Sequence, residues 1–169
     1  MASEGARPID PGVQIGHVHL KVSDIERSLD FYCGVLGFEL QSRWGSDAAF
    51  VSAGGYHHHI GLNTWTSARG DPPAPGTTGL FHLAVRYPSR RALADALQRL
   101  GEAGVPVSGA SDHGVSEALY LDDPDGIGIE LYWDRPEDQW PRAEGGEVEM
   151  FTRPLDLRSL LAELEGEAA

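Results

Sequence analysis

The sequence is poor in cysteine, in positive charge and in long apolar runs. Cys33 is the one cysteine among 169 residues, so no disulfide can form within the chain. Its place in a helical pattern reads as a small, buried apolar residue rather than a nucleophile. Lys and Arg total 13 against 26 Asp and Glu, and the formal charge of −13 would repel a phosphate backbone or an anionic lipid surface. Nucleic acid and membrane are therefore not expected as partners. No apolar run approaches the roughly 18 residues that a bilayer requires, and the opening MASEGARPID has neither the cationic start nor the apolar stretch of a secretion signal. The expectation is a cytoplasmic protein. A phosphate-cradling glycine loop followed by Lys-Ser or Lys-Thr, a Gly-x-Ser-x-Gly elbow and a Cys-x-x-Cys pair are all missing. Nucleotide hydrolysis, serine esterase chemistry and structural zinc thus lack support.

What the chain does have is glycine, 21 residues of it, well above the usual ~7%. Combined with scattered Val, Ile, Tyr and Trp, this predicts short strands joined by turns, in one domain rather than several. The order of elements occurs twice. Val13 to Val22 alternates as a strand does, and Ser23 with Glu26 three residues on resembles a capping box ahead of Leu29, Tyr32, Cys33 and Leu36 at helical spacing. Gly34 and Gly37 end that helix. Strand-like runs follow at Phe38 to Trp44, Ala48 to Ala53 and His57 to Thr64.

From Gly79 the order begins again. Leu80 to Arg86 reads as a strand, Ser89 can cap a helix carrying Leu93, Ala96, Leu97 and Leu100, and Gly104 stands at its end. Val105 to Ser108, Glu117 to Leu121 and Ile127 to Trp133 supply three more strands, the last two joined by the turn DDPDG. The expected fold is α+β. Two βαβββ repeats, 13–66 and 79–134, would form curved mixed sheets around a cleft. The Pro- and Gly-rich segment 67–78 is their linker. Residues 135–169 would be a wrapping tail ending in a short amphipathic helix of Leu157, Leu160, Leu161 and Leu164, which packs on protein rather than lipid.

Seven histidines carry the chemical information: His17, His19, His57, His58, His59, His82 and His113. His17 and His82 stand at equivalent places in the two repeats. Glu130 on the last strand of the second repeat corresponds to Gly61 on the last strand of the first. Folding the repeats face to face would bring these four positions to one pseudo-symmetric centre, where three are metal ligands by type and the fourth has no side chain.

The strings GHVHLKVSDIERSLDFYCGVLGF, FHLAV and DPDGIGIELYW resemble the vicinal oxygen chelate superfamily of glyoxalases, bleomycin-resistance proteins and extradiol dioxygenases, over roughly Val13 to Asp134. The resemblance implies that His17, His82 and Glu130 are the metal ligands, with His19 a neighbour of the site; a register aligning HLKV with HLAV would make His19 the ligand instead. Gly61 stands where glyoxalase I would need a carboxylate, which turns the resemblance towards the catechol-2,3-dioxygenase branch. Two imidazoles and one carboxylate leave three octahedral positions open, a set that suits Fe(II), with Mn(II) as the alternative. In that branch His59 would be the acid/base and Tyr120, ten residues before Glu130, would hydrogen-bond the diol. His113 stands near the place of a third family histidine.

The expected activity is thus extradiol cleavage of a small aromatic diol by O2. The rival readings are a ligand-sequestering protein of the bleomycin-resistance type, or another metal-dependent member such as an isomerase or epimerase. The best-known extradiol enzymes have four βαβββ units where this chain has two, so a site within one chain and a site across a homodimer are both open.

Overall fold

A computed structural model describes residues 7–167. Its elements follow the doubled order. Strand β1 (Val18–Lys21), helix α1 (Ile25–Leu29) continuing as a π-helical turn over Asp30–Val35, β2 (Glu39–Trp44), β3 (Ala48–Ser52) and β4 (Ile60–Asn63) form the first set. Strand β5 (Leu83–Arg86), α2 (Arg90–Glu102), β6 (Gly109–Asp112), β7 (Ser116–Asp122) and β8 (Gly128–Asp134) form the second. A two-residue strand, β9 (Arg153–Pro154), and α3 (Leu157–Leu161) lie in the tail. The sheets are mixed, ordered β1-β4-β3-β2 and β5-β8-β7-β6-β9, with the first and last strands of each set parallel. This is the α+β architecture of paired βαβββ units. Among the described residues no helix is long and apolar enough to cross a membrane.

The core follows from period-two alternation. On β8, Ile129 and Leu131 are buried while Gly128, Glu130 and Tyr132 face the other way. Leu119 and Leu121 of β7 join them beneath Leu93, Leu97 and Leu100 of α2. Leu20, Val51, Ile60 and Leu62 do the same for the first sheet beneath Ile25, Leu29 and Phe31, and one cluster runs through both halves. Leu160 of α3 is fully buried in it, whereas Leu161 stays exposed. Arg90 and Arg91 of α2 fasten that terminal helix by donating to the Ser159 and Glu163 carbonyls.

Several local expectations are corrected. The cap of α1 is Asp24, whose carboxylate accepts from Arg27 N at 2.9 Å, and not Ser23. Ser23 is occupied elsewhere: its N–H donates to Asp125 at 3.1 Å and its Oγ accepts from the Arg27 guanidinium. Strand β4 starts at Ile60, so His57, His58 and His59 lie in the preceding loop. Likewise Val105 to Ser108 only leads into β6. Cys33 is half-buried in the π-helical turn rather than fully enclosed, and burial pushes its thiol up.

The DDPDG turn ties the two halves. Asp123 Oδ1 accepts from Asp125 N and Ile127 N, both at 2.8 Å, while Oδ2 accepts from the Tyr32 hydroxyl at 3.0 Å. Burial pushes the Tyr32 phenol far above its ordinary range and also raises Asp123. Tyr32 has no solvent exposure, so Tyr32→Phe leaves the buried Asp123 Oδ2 without its donor. Urea unfolding should show a loss of about 1–3 kcal/mol in the variant.

Candidate metal centre

The parallel pairing of first and last strands sets the geometry of the site. Ala84 of β5 pairs with Glu130, and His82 lies two residues earlier on the same face. Tyr120 of β7 pairs with Glu130 from the other side. The three side chains therefore project from one open face of the second sheet, opposite its buried leucines. His82 Nε2 is 3.0 Å from Glu130 Oε2. The Tyr120 oxygen is 2.9 Å from Glu130 Oε1 and 2.8 Å from His113 Nε2. The result is a continuous run, His82–Glu130–Tyr120–His113. Desolvation, with the adjacent Glu130 carboxylate second, pushes the Tyr120 phenol up to about 12.

In the first sheet His19 pairs with Gly61, so Gly61 matches Glu130 in register and His17 matches His82. A Cβ on Gly61 would lie 2.9 Å from the His19 ring. The imidazole of His19 thus takes the room that a side chain at 61 would need. His17 does not join the run on the second sheet. Its ring lies against His58, with centroids 4.3 Å apart, and His58 in turn packs edge-on to Phe50. Burial, then the neighbouring His17, lowers His58.

His59 is exposed; its Nδ1 accepts from Ala53 N at 3.3 Å and its ring stacks on Tyr56. His17, His59 and His82 nevertheless line one cavity of about 540 Å³ with Leu80, Phe38 and Val85, from whose walls Glu130 and Tyr120 are absent. Of the six residues singled out from the sequence, four form the hydrogen-bonded run and two reach it only through the cavity shared with His82. Among the described residues no three His, Cys, Asp or Glu side chains converge to hold a metal ion.

The donor set of the pair still fits a metal. Imidazole nitrogen and carboxylate oxygen bind first-row ions at about 2.0–2.2 Å, which puts neighbouring ligand atoms of an octahedron about 3.0 Å apart. The His82–Glu130 separation of 3.0 Å, here that of a hydrogen-bonded pair, is compatible with that spacing. His82 Nδ1 is buried without a hydrogen-bond partner, so Nε2 is its interacting nitrogen.

The turn that carries His113 is pinned from below. Arg135 donates to Asp112 at 2.6 Å, to the Gly114 carbonyl at 3.2 Å and to Glu117 at 2.7 Å, and Arg90 donates to the other Glu117 oxygen at 2.8 Å. Above it, His113 Nδ1 lies 3.0 Å from the carbonyl oxygen of Phe151. Sequence reasoning missed the part played by Phe151. The signal available was the glycine of the Asp112-His113-Gly114 string, which marks a tight turn but not what covers it.

With the geometry in place, comparison with known proteins assigns the chain. Residues 14–131 match the Glyoxalase/Bleomycin resistance protein/Dioxygenase superfamily, and the chain belongs to it. It is 42% identical over 155 residues to a catechol-2,3-dioxygenase of Bacillus subtilis; the match covers 92% of this chain and 53% of that protein, so the chain spans about half the relative's length. It is 30% identical over 123 residues to a lactoylglutathione lyase of Neisseria meningitidis, covering 68% of this chain and 86% of that one. Among solved structures, a glyoxalase/dioxygenase from Nostoc punctiforme superposes with a TM-score of 0.64 at 21% identity, over 78% of this chain and 99% of that one, and shares the fold.

Burial works to raise the Asp112 carboxyl, but the Arg135 guanidinium and the Gly114 N–H hold it below the ordinary value of 3.8. A depressed carboxyl adds stability above its unfolded pKa and loses it as pH falls through the folded one. The stability gap between wild type and Asp112→Asn, followed by denaturant melts, should therefore be widest near neutrality and close below pH 3.8.

Proposed function

We propose that the chain is a metal-dependent extradiol dioxygenase that cleaves a catechol-like vicinal diol with O2. The observation that carries this reading is the His82–Glu130–Tyr120–His113 run on the open sheet face, which couples a pair of metal donors directly to a phenol and an imidazole. His82 and Glu130 would hold the ion, with His17, which lines the same cavity as His82, as the third ligand. Fe(II), or Mn(II) with the same ligands, supplies a Lewis-acidic and redox-active centre on which diol and O2 meet.

The protein's own groups handle protons. A diol must lose protons to bind as a chelate. Tyr120 and His113, 2.8 Å apart, form a path by which one can leave. Tyr120 also offers a hydrogen bond to the bound diol. His59, which lines the same cavity as His82, would act as acid/base towards the distal side of the substrate. The similarity to a catechol-2,3-dioxygenase supports this assignment.

A second reading is a metal-dependent isomerase or lyase of the same superfamily, which the 86% coverage of the Neisseria meningitidis lactoylglutathione lyase favours. Gly61 speaks against it on chemical grounds, since the place of a fourth protein ligand is filled by the His19 ring.

Protein purified without oxygen and loaded with Fe(II) should bind about one ion per chain, and with catechol it should take up O2 and form a ring-opened product. His82→Ala and Glu130→Ala should each lose the ion. Stoichiometric iron in both variants would refute the ligand assignment, and an iron-loaded wild type that leaves catechol intact would refute the activity.

His59→Gln separates the acid/base from the ligands. Iron content and catechol affinity should stay as in wild type while kcat falls by roughly 10²–10⁴-fold. Loss of iron would make His59 a ligand, and unchanged kcat would make it a bystander.

A further inference from the structure

We propose that Arg86 is an anion anchor, and that the aromatic diol taken by this site carries a carboxylate at the end remote from its hydroxyls. The inference rests on the dioxygenase reading for the diol. The anion site itself stands on three observations of its own.

The first is the charge of the cavity. The chain has 26 acidic residues against 13 basic ones. Yet no Asp or Glu among the described residues lines the cavity of about 540 Å³ shared by His17, His59 and His82. Its polar side chains are these three imidazoles and the guanidinium of Arg86. A walled space that offers only neutral or cationic donors, in a protein negative elsewhere, favours an anionic occupant.

The second is placement. Strand β5 alternates, so His82, Ala84 and Arg86 share one face, and the register of Ala84 with Glu130 makes it the face of the candidate ligands. Four extended residues put the His82 and Arg86 Cα atoms about 13 Å apart. Only the methyl group of Ala84 stands between them on that face. The strand therefore offers a metal donor at one end, a flat floor on which a ring can lie, and a guanidinium at the other end.

The third is that Arg86 is nearly uncommitted. Its one side-chain partner among the described residues is Asp134, with NH1 to Oδ2 at 3.4 Å, and the two side chains are 69% and 36% exposed. That length is beyond the usual range for such a bond, and an exposed pair of this kind contributes little. Arg135, by contrast, is fixed to two carboxylates at 2.6 and 2.7 Å. The free edge of the Arg86 guanidinium keeps its paired N–H groups for a carboxylate, which it can hold bidentately.

The repeat supplies a matched control. Lys21 follows His17 by four residues, as Arg86 follows His82. It lines a different cavity, beside β1, whose walls also carry Asp71. The two cations are equivalent in register, but only Arg86 shares a cavity with His17, His59 and His82.

The test compares phenylpropanoate with phenylpropanamide, which have the same size and differ in charge, by calorimetry on the full chain without metal. Wild type should bind the acid more tightly by roughly 10–10²-fold, the range expected for a hydrogen bond to a charged group. Arg86→Met should lose that preference, Arg86→Lys should recover part of it, and Lys21→Met should keep it. In the iron-loaded enzyme, Arg86→Met should lower kcat/KM for dihydroxyphenylpropanoate relative to its amide by the same factor, chiefly through KM. Equal binding of acid and amide by wild type would overturn the proposal. So would a preference that persists in Arg86→Met or disappears in Lys21→Met. If the acid is preferred through Arg86 but iron-loaded wild type cleaves neither diol, the anion anchor stands and the dioxygenase reading falls; if both diols are cleaved with equal kcat/KM, the reading stands and the anchor falls.

Discussion

The contact on which the rest depends is between the first helix and the last turn of the sheets. Arg27 donates to Asp125 at 2.6 Å, Ser23 N to the other Asp125 oxygen at 3.1 Å, and Tyr32 to Asp123 at 3.0 Å. Two carboxylates two residues apart would repel each other in an apolar setting. Here each is satisfied by donors from the first half of the chain and from the turn's own backbone. A buried hydrogen bond to a charged group is worth about 1.5–3 kcal/mol and costs more than that when broken on one side. The turn is therefore held to one geometry, and β8, which begins directly after it, inherits that geometry. Glu130 is on β8. The position of the candidate carboxylate ligand is thus set by helix α1 of the other half.

The doubled architecture makes the asymmetry of the site informative. Equivalent registers bring Gly61 opposite His19 and Glu130 opposite Ala84. In the second sheet a small residue stands beside a long carboxylate, which leaves that carboxylate free to reach His82. In the first sheet the pairing is reversed: a ring stands beside a residue without a side chain, and it fills the space. One copy of the repeat therefore presents two donors, and the other presents only imidazoles in a group of aromatic rings. Such a division would suit the proposed centre, in which positions stay open for two small reactants, because the His19 ring takes the room that a side chain at 61 would need.

Much of this is legible in the residues alone, because it rests on period-two alternation and on turn chemistry. The doubled order of elements, the pairing of His17 with His82 and of Gly61 with Glu130, and the cap at Ser89 all follow from local pattern. Other features do not. The choice of Asp24 over Ser23 as cap depends on Asp125, about a hundred residues away, which engages the serine. The start of β4 at Ile60 leaves three histidines in a loop, although their spacing alone reads as strand; Val51 O accepts from His59 N at 2.9 Å, and the regular ladder begins only after it. The role of the tail was hidden for the same reason. A two-residue strand has no periodicity to detect, and the tail's contact with His113, just before that strand, is made by the Phe151 backbone carbonyl, which any residue at 151 would supply.

Backbone contacts of this kind also explain why His82 lies where it does. Gly128, two residues before Glu130, faces the start of β5, and a Cβ there would lie 2.3 Å from the Phe81 carbonyl oxygen and 3.3 Å from His82 Cβ. The clash would be with backbone, which cannot rotate away, so any side chain at 128 would lift the β5 start from the sheet. Because there is none, the start of β5 lies close against β8 and His82 Nε2 comes within 3.0 Å of Glu130 Oε2. The Phe81 ring that precedes His82 is 88% exposed and 5.4 Å from the His82 ring, at the edge of the candidate site. A large apolar ring kept in water beside a pair of metal donors gains by covering an aromatic ligand, at about 25 cal/mol per Å² buried. The glycine that seats the start of β5 against β8 thus fixes the backbone of both His82 and Phe81, one facing Glu130 and the other exposed beside it.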